Sequence, residues 1–593
     1  MKLSNLFIFG FLAMGVMTQA VLSSQTPNIV LIILDDMGHG DLGFHGNPVV
    51  NTPVLDELAE NSVRLTRFHV SPVCGPTRAS LMTGKYSLRT GVYDTYRGGA
   101  VMAAEEVTLA EHLQRAGYRT GIVGKWHLGD AFPYRPGEQG FEYSLIHGGG
   151  GLEQPGDFFE NFSKKAEERG YFDPWLHENG EKVQRMGYCT DVFTDAGIQF
   201  IERSDDRPFF LYVAYNAPHD PLQVPDAYLK KYPVGEYDLN QFPEGGSDEM
   251  DRMSEFDIEA AFKTYAMMEN VDDNIGRLID SLQRSGKLED TLIIFTSDNG
   301  PQYRRYNSGL RGRKGSIFQG GIQVPSFWSF PGRFGADREV AQLSAHLDVV
   351  PTLLSLVDLP IPEDLDGISL LPVLEAVAEN LDRAPLFFQW QRGYPRGFDN
   401  AAVIDGNWKL AGKYFFGKSP DDWELFNLSE DPLEQTDLKN TYPDKLRSME
   451  RAFRNWQDRM KASPSLQSPQ PALIGADGVG PVRLNRNDWK GPHTEAWGSF
   501  KAYGYWDIQV VREGLFDVTL FFQESLPGDG WINLRIGSVD QQIRFRGGEQ
   551  QTFTFEDVRL REGIFRLDAW YWCHRPDENR GVWGPFDVIL SKH

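Results

Sequence analysis

Cysteine is scarce in this chain of 593 residues, which contains only Cys74, Cys189 and Cys573. So small a number argues against a disulfide framework and against a zinc site built from cysteines. The number is also odd, so at least one thiol has no disulfide partner within the chain. Each cysteine is therefore a candidate for a role of its own.

Basic residues are outnumbered in this protein. Lys and Arg total 59 against 83 Asp and Glu, which gives a net charge of −24. Bulk attraction to nucleic acid or to an anionic membrane is therefore disfavoured, and an anionic substrate needs a local basic pocket. The composition, with 41% hydrophobic and 24% charged residues, is typical of globular proteins. A chain of this length is expected to form two or more domains.

No apolar run of transmembrane length occurs after the N-terminal segment. In that segment, Lys2 precedes an apolar stretch from Leu6 to about Val16. Thr18-Gln19-Ala20 follows, and this order predicts a cleaved export signal over residues 1–20. The alternative is a buried N-terminal helix, but no helix cap or amphipathic face follows the run. The run is also short for a membrane span. We expect an exported protein without a membrane span, periplasmic or secreted, and lysosomal or secretory if the source is eukaryotic.

Strand-like runs alternate with helical patterns over residues 27–375. Three continuous apolar runs are typical of strands buried on both faces: Asn28–Leu34, Phe209–Ala214 and Leu292–Thr296. Helical patterns lie between them, among them Thr52–Glu60, Thr108–Ala116 and Phe262–Ser285. This alternation predicts an α/β domain with a mostly parallel sheet flanked by helices.

Two smaller units are predicted beyond this domain. Residues 380–462 read as a small antiparallel α+β subdomain, with short strands and a closing helix at Asp444–Met460. The predicted strands are Ala402–Ile404, Trp408–Leu410 and Trp423–Phe426. Residues 463–471 (SPSLQSPQP) have the composition of a linker. Residues 472–593 hold seven of the fourteen Trp residues and alternate apolar with polar side chains, which predicts an all-β sandwich of roughly seven strands.

Acidic and amide side chains follow two of the predicted strands. Asp35 and Asp36 come after the first run, and Asp298 and Asn299 come after the run at 292–296. In open α/β sheets, ligands bind beyond the carboxyl ends of the strands. Three carboxylates and one amide oxygen at that edge predict a site for a hard cation such as Ca²⁺ or Mg²⁺. The alternative is that each pair caps the helix or turn that follows it.

The segment Val73–Gly84 (VCGPTRASLMTG) is more informative. A single cysteine is usually a small buried hydrophobe. Here Gly75 and Pro76 follow Cys74 and favour a turn into an apolar-periodic helix, which would place the thiol near a helix N-terminus that stabilises anions. Arg78, four residues on, adds a fixed positive charge.

With Cys74, Pro76 and Arg78 spaced C-x-P-x-R before ASLMTG, the chain resembles the type I, formylglycine-dependent sulfatases of the alkaline-phosphatase-like superfamily. The stretch GKWHLG (124–129) resembles the second signature of that family. Further matching stretches are TSDNG, GRKGSIFQGG, DVVPTLL and ELFNLSEDPLEQTDL. The resemblance extends over about residues 27–462 and leaves the C-terminal sandwich outside.

The resemblance implies roles for individual residues. Cys74 would be oxidised to formylglycine by a separate formylglycine-generating enzyme, and Arg78 would hold the hydrated aldehyde. Lys125 and Lys314 would contact sulfate oxygens, His127 would serve the formylglycine and His219 would face the leaving group. One Ca²⁺ would be bound by the modified Cys74 together with four unmodified residues: Asp35, Asp36, Asp298 and Asn299.

The implied chemistry is physically reasonable. The oxygens of a sulfate ester repel nucleophiles, and a divalent cation with Lys and Arg neutralises that charge in the transition state. An aldehyde hydrate offers two hydroxyls: one attacks sulfur, and the other loses its proton as the aldehyde reforms and sulfate leaves. Taken singly, His127 or His219 would more often be a hydrogen-bonded structural residue. Four further histidines keep that structural interpretation, namely His39, His45, His69 and His346. Of these, His39 and His45 follow the metal-binding strand and could touch substrate.

Two positions depart from the family pattern. Gln319 and Gln323 stand where the family usually has a glutamate and an arginine. A charged pair has become two neutral amides, which can still hydrogen-bond. We expect an altered layer of support under Lys314 rather than lost catalysis.

The sequence contains few features that indicate the substrate. Arg304, Arg305, Arg311 and Arg313 lie within one short stretch before Lys314. Such a charge run is usually a solvated face, but its place favours a subsite for a polyanionic chain. The Trp-rich sandwich either stacks on sugar rings or covers the catalytic domain. We predict a sulfatase acting on sulfated carbohydrate and on aryl sulfates; the alternatives are a phosphoester or phosphonate hydrolase and a non-catalytic glycan-binding protein.

Overall fold

The computed structural model describes residues 26–162, 170–233, 253–412, 423–494, 502–573 and 582–593. The export signal predicted over residues 1–20 lies outside these ranges. Within them, no helix is both long and apolar enough to cross a bilayer.

The largest sheet has ten strands among the described residues, in the order β11-β2-β10-β9-β1-β8-β4-β5-β6-β7, and a separate pair joins β3 to β12. The bounds are β1 (Asn28–Leu34), β2 (Val63–Leu65), β3 (Phe68–His69), β4 (Arg119–Lys125), β5 (Tyr143–His147), β6 (Trp175–Glu178), β7 (Glu181–Gln184), β8 (Phe209–Ala214), β9 (Thr291–Ser297), β10 (Ser326–Ser329), β11 (Arg338–Val340) and β12 (Ser344–Ala345). The centre, β9-β1-β8-β4-β5, is parallel throughout. The predicted mostly parallel α/β sheet is confirmed.

Helices cover both faces of this sheet because its central strands are apolar on both sides. Ile29, Leu31 and Ile33 of β1 join one apolar cluster, and the alternate residues join the other. The helices are α1 (Pro53–Glu60), α2 (Cys74–Thr83), α3 (Leu109–Arg115), α4 (Cys189–Glu202), α5 (Asp226–Leu229), α6 (Glu255–Arg284), α7 (Gln319–Ile322), α8 (Val349–Leu356) and α9 (Leu371–Leu374). Helices α1, α4 and α6 pack on one face, and α2, α3 and α8 pack on the other.

One helix begins earlier than the sequence pattern predicts. The apolar periodicity indicates a start at Phe262, whereas α6 begins at Glu255. The reason is a capping box at Ser254: its hydroxyl accepts a hydrogen bond from the Asp257 backbone N–H, and the Asp257 carboxylate accepts one from the Ser254 backbone N–H. The cap satisfies free N–H groups and so starts the helix two turns before the apolar face.

A second, antiparallel sheet follows in the order β13-β14-β15-β16. Its strands are β13 (Leu386–Gln389), β14 (Ala401–Asp405), β15 (Trp408–Gly412) and β16 (Trp423–Asn427). Helix α10 (Pro443–Lys461) packs Met449, Phe453 and Trp456 on one face of it. The other face packs against Ile317 and Ile322 of the main domain. The predicted small antiparallel sheet with a closing helix is therefore present, and α11 (Pro464–Gln467) lies within the segment predicted as a linker.

The C-terminal part forms two sheets that share one apolar cluster. Their strands are β17 (Ala472–Ile474), β18 (Val482–Asn485), β19 (Lys490–His493), β20 (Tyr503–Val510), β21 (Gly514–Phe521), β22 (Asp529–Ile536), β23 (Val539–Arg546), β24 (Thr552–Leu560), β25 (Gly563–Trp572), β26 (Val582–Trp583) and β27 (Asp587–Lys592). Eleven strands are described where about seven are predicted, because several are only two to four residues long. The all-β, mostly antiparallel class of this part is confirmed.

The sandwich packs on loops of the main domain. Arg483 donates to the carbonyls of Gly156 and Asp157 at 3.1 and 2.9 Å. Asn485 Nδ2 donates to the Asp130 carboxylate at 2.7 Å. The Gly98 N–H donates to the Asn487 carbonyl at 3.1 Å, so the sandwich holds loops on the same side as the carboxyl end of β4.

Candidate active site

The acidic and amide side chains predicted to converge do lie together. Strands β1 and β9 are parallel neighbours with Leu34 opposite Ser297, so the residues that follow each strand are adjacent. Asp36 adopts a φ of 68°, a left-handed conformation that a non-glycine residue holds only when its surroundings enforce it. Its backbone N–H donates to Asp298 Oδ1 at 3.3 Å.

Three cations face the three carboxylates. Lys125 Nζ lies 2.5 Å from Asp35 Oδ2, and Lys314 Nζ lies 2.7 Å from Asp36 Oδ1. Arg78 donates from Nε and Nη2 to Asp298 Oδ2 at 3.0 and 2.7 Å. Arg78 also donates from Nη1 to the Lys125 carbonyl at 3.0 Å, which ties α2 to the end of β4. Lys314 is partly buried and the other residues of the cluster are almost completely buried, so their charges act in a medium of low dielectric constant.

Burial and neighbouring charges set the protonation of the carboxyls. Burial and the Asp35 carboxylate together raise the pKa of Asp298 to about 7, against the lowering effect of Arg78 and Lys125. Burial also works against ionisation of Asp36, but the Lys314 ammonium and His219 outweigh it and lower the pKa of Asp36. Crowded carboxyls of this kind ionise together only when extra positive charge is present.

Two buried oxygens in this cluster have no hydrogen-bond partner among the described residues, namely Asp35 Oδ1 and Asn299 Oδ1. Leaving such an atom unpaired costs about 1–3 kcal/mol, so a ligand for it is expected. Ligand atoms of Asp35, Cys74 and Asp298 lie within 4.8 Å of one another, as do those of Asp35, Asp36 and His219. The donor set is mainly oxygen and therefore fits Ca²⁺.

Cys74 is the first residue of α2 and is buried. Burial raises the pKa of its thiol, and the nearby Asp35 and Asp298 carboxylates raise it too, against the lowering effect of Lys125 and Lys314. The position at a helix N-terminus therefore does not produce a thiolate here. An unmodified Cys74 is a poor nucleophile, since the thiolate is the reactive form.

His127 lies two residues beyond β4 and has a φ of 60°. Its Nε2 lies 2.6 Å from the Thr95 carbonyl oxygen, which can only accept a hydrogen bond. Nε2 therefore carries the hydrogen, and Nδ1 is left as the basic atom. Nδ1 is buried and has no partner among the described residues. The imidazole is neutral, because burial lowers the pKa of His127 well below its ordinary value.

His219 approaches the same cluster from the loop after β8. Its Nε2 lies 3.7 Å from Asp36 Oδ2, and its Nδ1 lies 2.8 Å from the Asp220 carbonyl oxygen. Burial lowers the pKa of His219 to about 4, and Lys314 lowers it too, while Asp36 acts in the opposite direction. A Cβ on Gly150 would lie 3.0 Å from His127 Nε2, and one on Gly151 would lie 3.2 Å from His219 Cε1. The glycines thus let this loop lie closely over both imidazoles.

The four arginines that precede Lys314 differ in burial and in the residues that they contact. Arg305 is wrongly predicted as a substrate contact, because it is buried and its guanidinium binds the Asp41 carboxylate and the Asp36 carbonyl, each at 2.7 Å. Arg311 is also directed away: it binds Glu424 at 3.1 Å and lies over the Phe318 ring. Arg313 donates to the Gln302 carbonyl and stays exposed, and Arg304 is partly exposed.

The histidines interpreted as structural have structural contacts. His39 stacks on His45 with ring centroids 3.9 Å apart, and its Nδ1 lies 3.1 Å from Ser308 Oγ. His346 Nε2 lies 3.1 Å from Ser71 Oγ. His69 Nε2 lies 3.3 Å from the Gln319 amide nitrogen.

The two amides that depart from the family pattern are hydrogen-bonded, as expected. Gln319 Nε2 donates to Gln323 Oε1 at 2.7 Å, and Lys409 Nζ donates to Gln319 Oε1 at 3.1 Å. Glu434 supplies the carboxylate in this layer, at 2.6 Å from Lys409 Nζ.

Sequence reasoning missed three neighbours of the site. Thr95 acts through a backbone carbonyl, which leaves no sign in the sequence. Gln302 accepts a hydrogen bond from Lys314 Nζ at 3.3 Å. His147 ends β5 opposite Lys125, with a buried Nε2 that has no partner among the described residues. Its place at the carboxyl end of a parallel strand is the signal that could have found it.

A family profile described as Sulfatase matches residues 27–359, which is more than half of the chain. The chain belongs to the sulfatase family. A profile described as N-sulphoglucosamine sulphohydrolase, C-terminal, matches residues 313–462 of this sulfatase. Like its family, it is a type I sulfatase of the alkaline-phosphatase-like superfamily and a sulfuric ester hydrolase.

The sulfatase is similar to curated and solved relatives over 62–75% of its length. Arylsulfatase A of Homo sapiens is 35% identical over 402 residues, 62% of this chain and 71% of that protein. N-acetylgalactosamine-6-sulfatase of Mus musculus is 31% identical over 414 residues, 65% of this chain and 72% of that protein. The crystal structure of Ps i-CgsB is 30% identical with a TM-score of 0.61, covering 75% of this chain and 94% of that one. Ps i-CgsB is also known in complex with k-i-k-neocarrahexaose.

Proposed function

We propose that this sulfatase hydrolyses sulfate esters of carbohydrates through a hydrated formylglycine derived from Cys74, with one Ca²⁺ bound by the carboxylates and by Asn299. The observation that carries the proposal is the pair of unpaired buried oxygens, Asp35 Oδ1 and Asn299 Oδ1, beside the C-x-P-x-R cysteine. The cations at Arg78, Lys125 and Lys314 surround the same point.

The bound ion and the modified residue supply two elements of the chemistry. Ca²⁺ supplies charge stabilisation for the ester oxygens, and the aldehyde hydrate supplies a hydroxyl nucleophile with a route to sulfate release. The carboxylates Asp35, Asp36 and Asp298 are matched by three cationic side chains, so a divalent ion leaves the site net positive. A net positive and buried site favours a sulfate ester over neutral ligands.

The two histidines have different proton-transfer roles in this proposal. His127 Nδ1 is the free basic atom, because Nε2–H is committed to the Thr95 carbonyl, so His127 accepts a proton. His219 donates from Nδ1 to the Asp220 carbonyl, so its Nε2 faces the site; in the protonated imidazole, Nε2–H gives its proton to the ester oxygen as the S–O bond breaks, and the alcohol leaves. The negative charge of a bound sulfate ester raises the pKa of His219 and so favours the protonated form.

Carbohydrate is the proposed substrate class. Relatives at about 30% identity include an N-acetylgalactosamine-6-sulfatase and a protein whose structure was determined with k-i-k-neocarrahexaose. A cavity of about 410 Å³ is lined by Asp220, the residue after His219, and by Leu222, Phe256 and Tyr303, which offer apolar surface for a sugar ring.

Export and maturation complete the proposal. The charged, apolar and small-residue order of residues 1–20 supports a cleaved signal. Cys74 is the first residue of α2 and is buried in the folded protein. A formylglycine-generating enzyme would therefore have to bind the sequence around Cys74 before folding is complete. Mass analysis of the N-terminus and of the peptide over residues 68–78 tests both points.

Inorganic sulfate release is the deciding measurement. Protein with a confirmed aldehyde in the 68–78 peptide is incubated with sulfated algal and animal polysaccharides, their oligosaccharides and one aryl sulfate. Release from one carbohydrate class is expected. Release of phosphate from matched phosphate esters, without sulfate release, would contradict the proposal in favour of a phosphoester hydrolase, and binding without any product would indicate a glycan-binding protein.

A further inference from the structure

Arg392 lies on the rim of the active site, on the side formed by the small sheet. It follows β13, next to Trp390, whose ring atom Cζ3 lies 2.9 Å from the position of a Cβ on Gly315. Gly315 is the neighbour of Lys314, so this rim borders the cation cluster. On its other side, Arg392 contacts residues 94–96. The Asp94 carbonyl oxygen lies 3.0 Å from the position of a Cβ on Gly75, the residue after Cys74.

One edge of the Arg392 guanidinium is fixed. Nη1 donates to Asp94 Oδ1 at 2.9 Å and to Thr95 Oγ1 at 2.7 Å. Asp94 is buried and is itself held by the backbone N–H groups of Gly393 and Thr95, at 2.7 and 2.8 Å. The anchor is therefore rigid, and the arginine loses little conformational freedom when it binds a ligand.

The other edge of the guanidinium is open. Arg392 Cζ lies 4.6 Å from the ring centroid of Tyr96 and 5.1 Å from that of Trp390. The side chain is 45% exposed, and Nε and Nη2 have no hydrogen-bond partner among the described residues. These two groups form the fork that binds a carboxylate or a sulfate through two parallel hydrogen bonds.

The cavity next to His219 carries negative charge. The cavity of about 410 Å³ beside His219 is lined by Glu153, Asp220 and Glu259, and its one lysine, Lys263, is paired with Glu259 at 2.7 Å. A second anionic group on the substrate is therefore repelled from that cavity. The same group is attracted towards Arg392.

We propose that Arg392 is a specificity-determining residue, which binds a second oxyanion on the sugar adjoining the sulfated one. This inference rests on the proposed carbohydrate sulfatase function. The shared chemistry is a fork-to-oxyanion contact, and its source is either a uronate carboxylate or a further sulfate. The substrate class is then a carbohydrate with at least two anionic groups.

Binding without turnover tests the proposal directly. In a Cys74→Ala background, calorimetric titration compares N-acetylgalactosamine 6-sulfate with the chondroitin 6-sulfate disaccharide, and a monosulfated with a disulfated carrageenan disaccharide. In one of the two pairs, the member with two anionic groups should have a dissociation constant at least about tenfold lower than the other member. Arg392→Ala should remove that preference. Arg392→Lys should restore part of it. Arg396→Ala, an exposed arginine on the same loop, is the matched control and should leave it unchanged.

Kinetics separate a binding role from a structural one. With Cys74 present, Arg392→Ala should leave kcat for an aryl sulfate, which has one anionic group, within about threefold of the wild-type value. A loss of kcat on aryl sulfate equal to that on oligosaccharides would overturn the proposal, because it would mean that Arg392 acts through Thr95 on His127. A preference that survives Arg392→Ala, or no preference in either pair, would overturn it too. Absence of sulfate release from every ester would instead contradict the proposed function, independently of these titrations.

Discussion

Asn299 contributes to the site with both ends of its amide. Its Nδ2 donates to Asp36 Oδ1 at 2.7 Å and to the Gly300 carbonyl at 2.9 Å, while its buried Oδ1 has no partner among the described residues. The amide thus orients one carboxylate and offers an oxygen beside it. This division fixes which amide atom faces the predicted ion.

Asn299→Ala should therefore weaken calcium binding. A ligand present at 100 times its dissociation constant stabilises a protein by about 2.7 kcal/mol, so Ca²⁺ should raise the Tm of the wild type, and much less that of the variant. Thermal unfolding with EDTA and with Ca²⁺ measures this. Asn307→Ala is the control, because Asn307 is also buried but both ends of its amide are hydrogen-bonded. An equal calcium-dependent shift in Asn299→Ala and wild type would contradict the assignment.

Cys74→Ala tests the nucleophile. Alanine carries neither a thiol nor an oxidisable carbon–sulfur bond, so no aldehyde hydrate can form at this position. The substitution should lower kcat by about 10⁴-fold or more. The Tm should change little, because the change is small and leaves α2 intact. Substantial activity in this variant, measured as sulfate release, would rule out the formylglycine mechanism.

The sequence indicated some of these residues for physical reasons and not others. Asp35 and Asp298 follow continuous apolar runs, and parallel neighbours bring such ends together. Arg305 lies in a charge run, and no local pattern distinguishes a buried ion pair with Asp41 from a surface arginine. Thr95 acts through its carbonyl, so its side chain gives no signal.

At the scale of elements, strands buried on both faces were the most predictable. Asn28–Leu34 and Phe209–Ala214 have the bounds that their apolar runs indicate. Helix α6 was predicted too short, because its first two turns are set by a polar cap at Ser254 and not by apolar periodicity. Short strands of the sandwich, such as Val582–Trp583, depend on pairing with distant strands, which a local pattern does not contain.

A buried ion pair joins strand β15 to the segment that follows β16, and both partners bind Gln319, the first residue of α7. Lys409 Nζ lies 2.6 Å from Glu434 Oε1, and both side chains are fully buried. The second oxygen of Glu434 accepts from the Gln319 backbone N–H at 2.7 Å, and Lys409 binds the Gln319 side chain. The pair therefore supports the segment that follows Lys314.

Lys409→Met should destabilise the protein by about 3 kcal/mol, because it leaves the Glu434 charge buried and unpaired. The double variant Lys409→Met/Glu434→Gln should recover much of this loss, since no uncompensated charge remains. Chemical denaturation of the two variants and of Glu434→Gln forms a double-mutant cycle. Additive effects in that cycle would show that the two side chains do not interact.

At the scale of the whole molecule, the sandwich supports loops that lead to the active site. Its Asn487 carbonyl accepts from Gly98, in the loop that presents Thr95 to His127. Asn485 binds the Asp130 carboxylate, which also accepts from the Gly149 N–H in the glycine loop over the imidazoles. The sequence separates the sandwich by composition, but it does not reveal this support, since the contacts join residues more than 300 positions apart.

A pair of carboxyls at this interface makes its stability depend on pH. The Asp130 N–H donates to Asp488 Oδ2 at 3.3 Å. Burial and the Asp130 carboxylate together raise the pKa of Asp488 to about 7, against smaller lowering effects of the Asp130 N–H, Asn487 and Lys490. Burial raises the pKa of Asp130 as well. The folded state therefore holds protons that the unfolded state, with an ordinary aspartate pKa of about 3.9, releases.

The contribution of this pair to stability should consequently fall as pH rises from about 4 to 7 and then level off, since the folded state binds more protons at these groups across that window. Asp488→Asn stays neutral at every pH. Relative to wild type, its Tm should be higher by a few degrees at pH 8 and similar at pH 5. Scanning calorimetry at both pH values measures this, with the exposed Asp540→Asn in the same sandwich as the control. A difference between Asp488→Asn and wild type that is equal at the two pH values would mean that the carboxyl does not titrate at the interface.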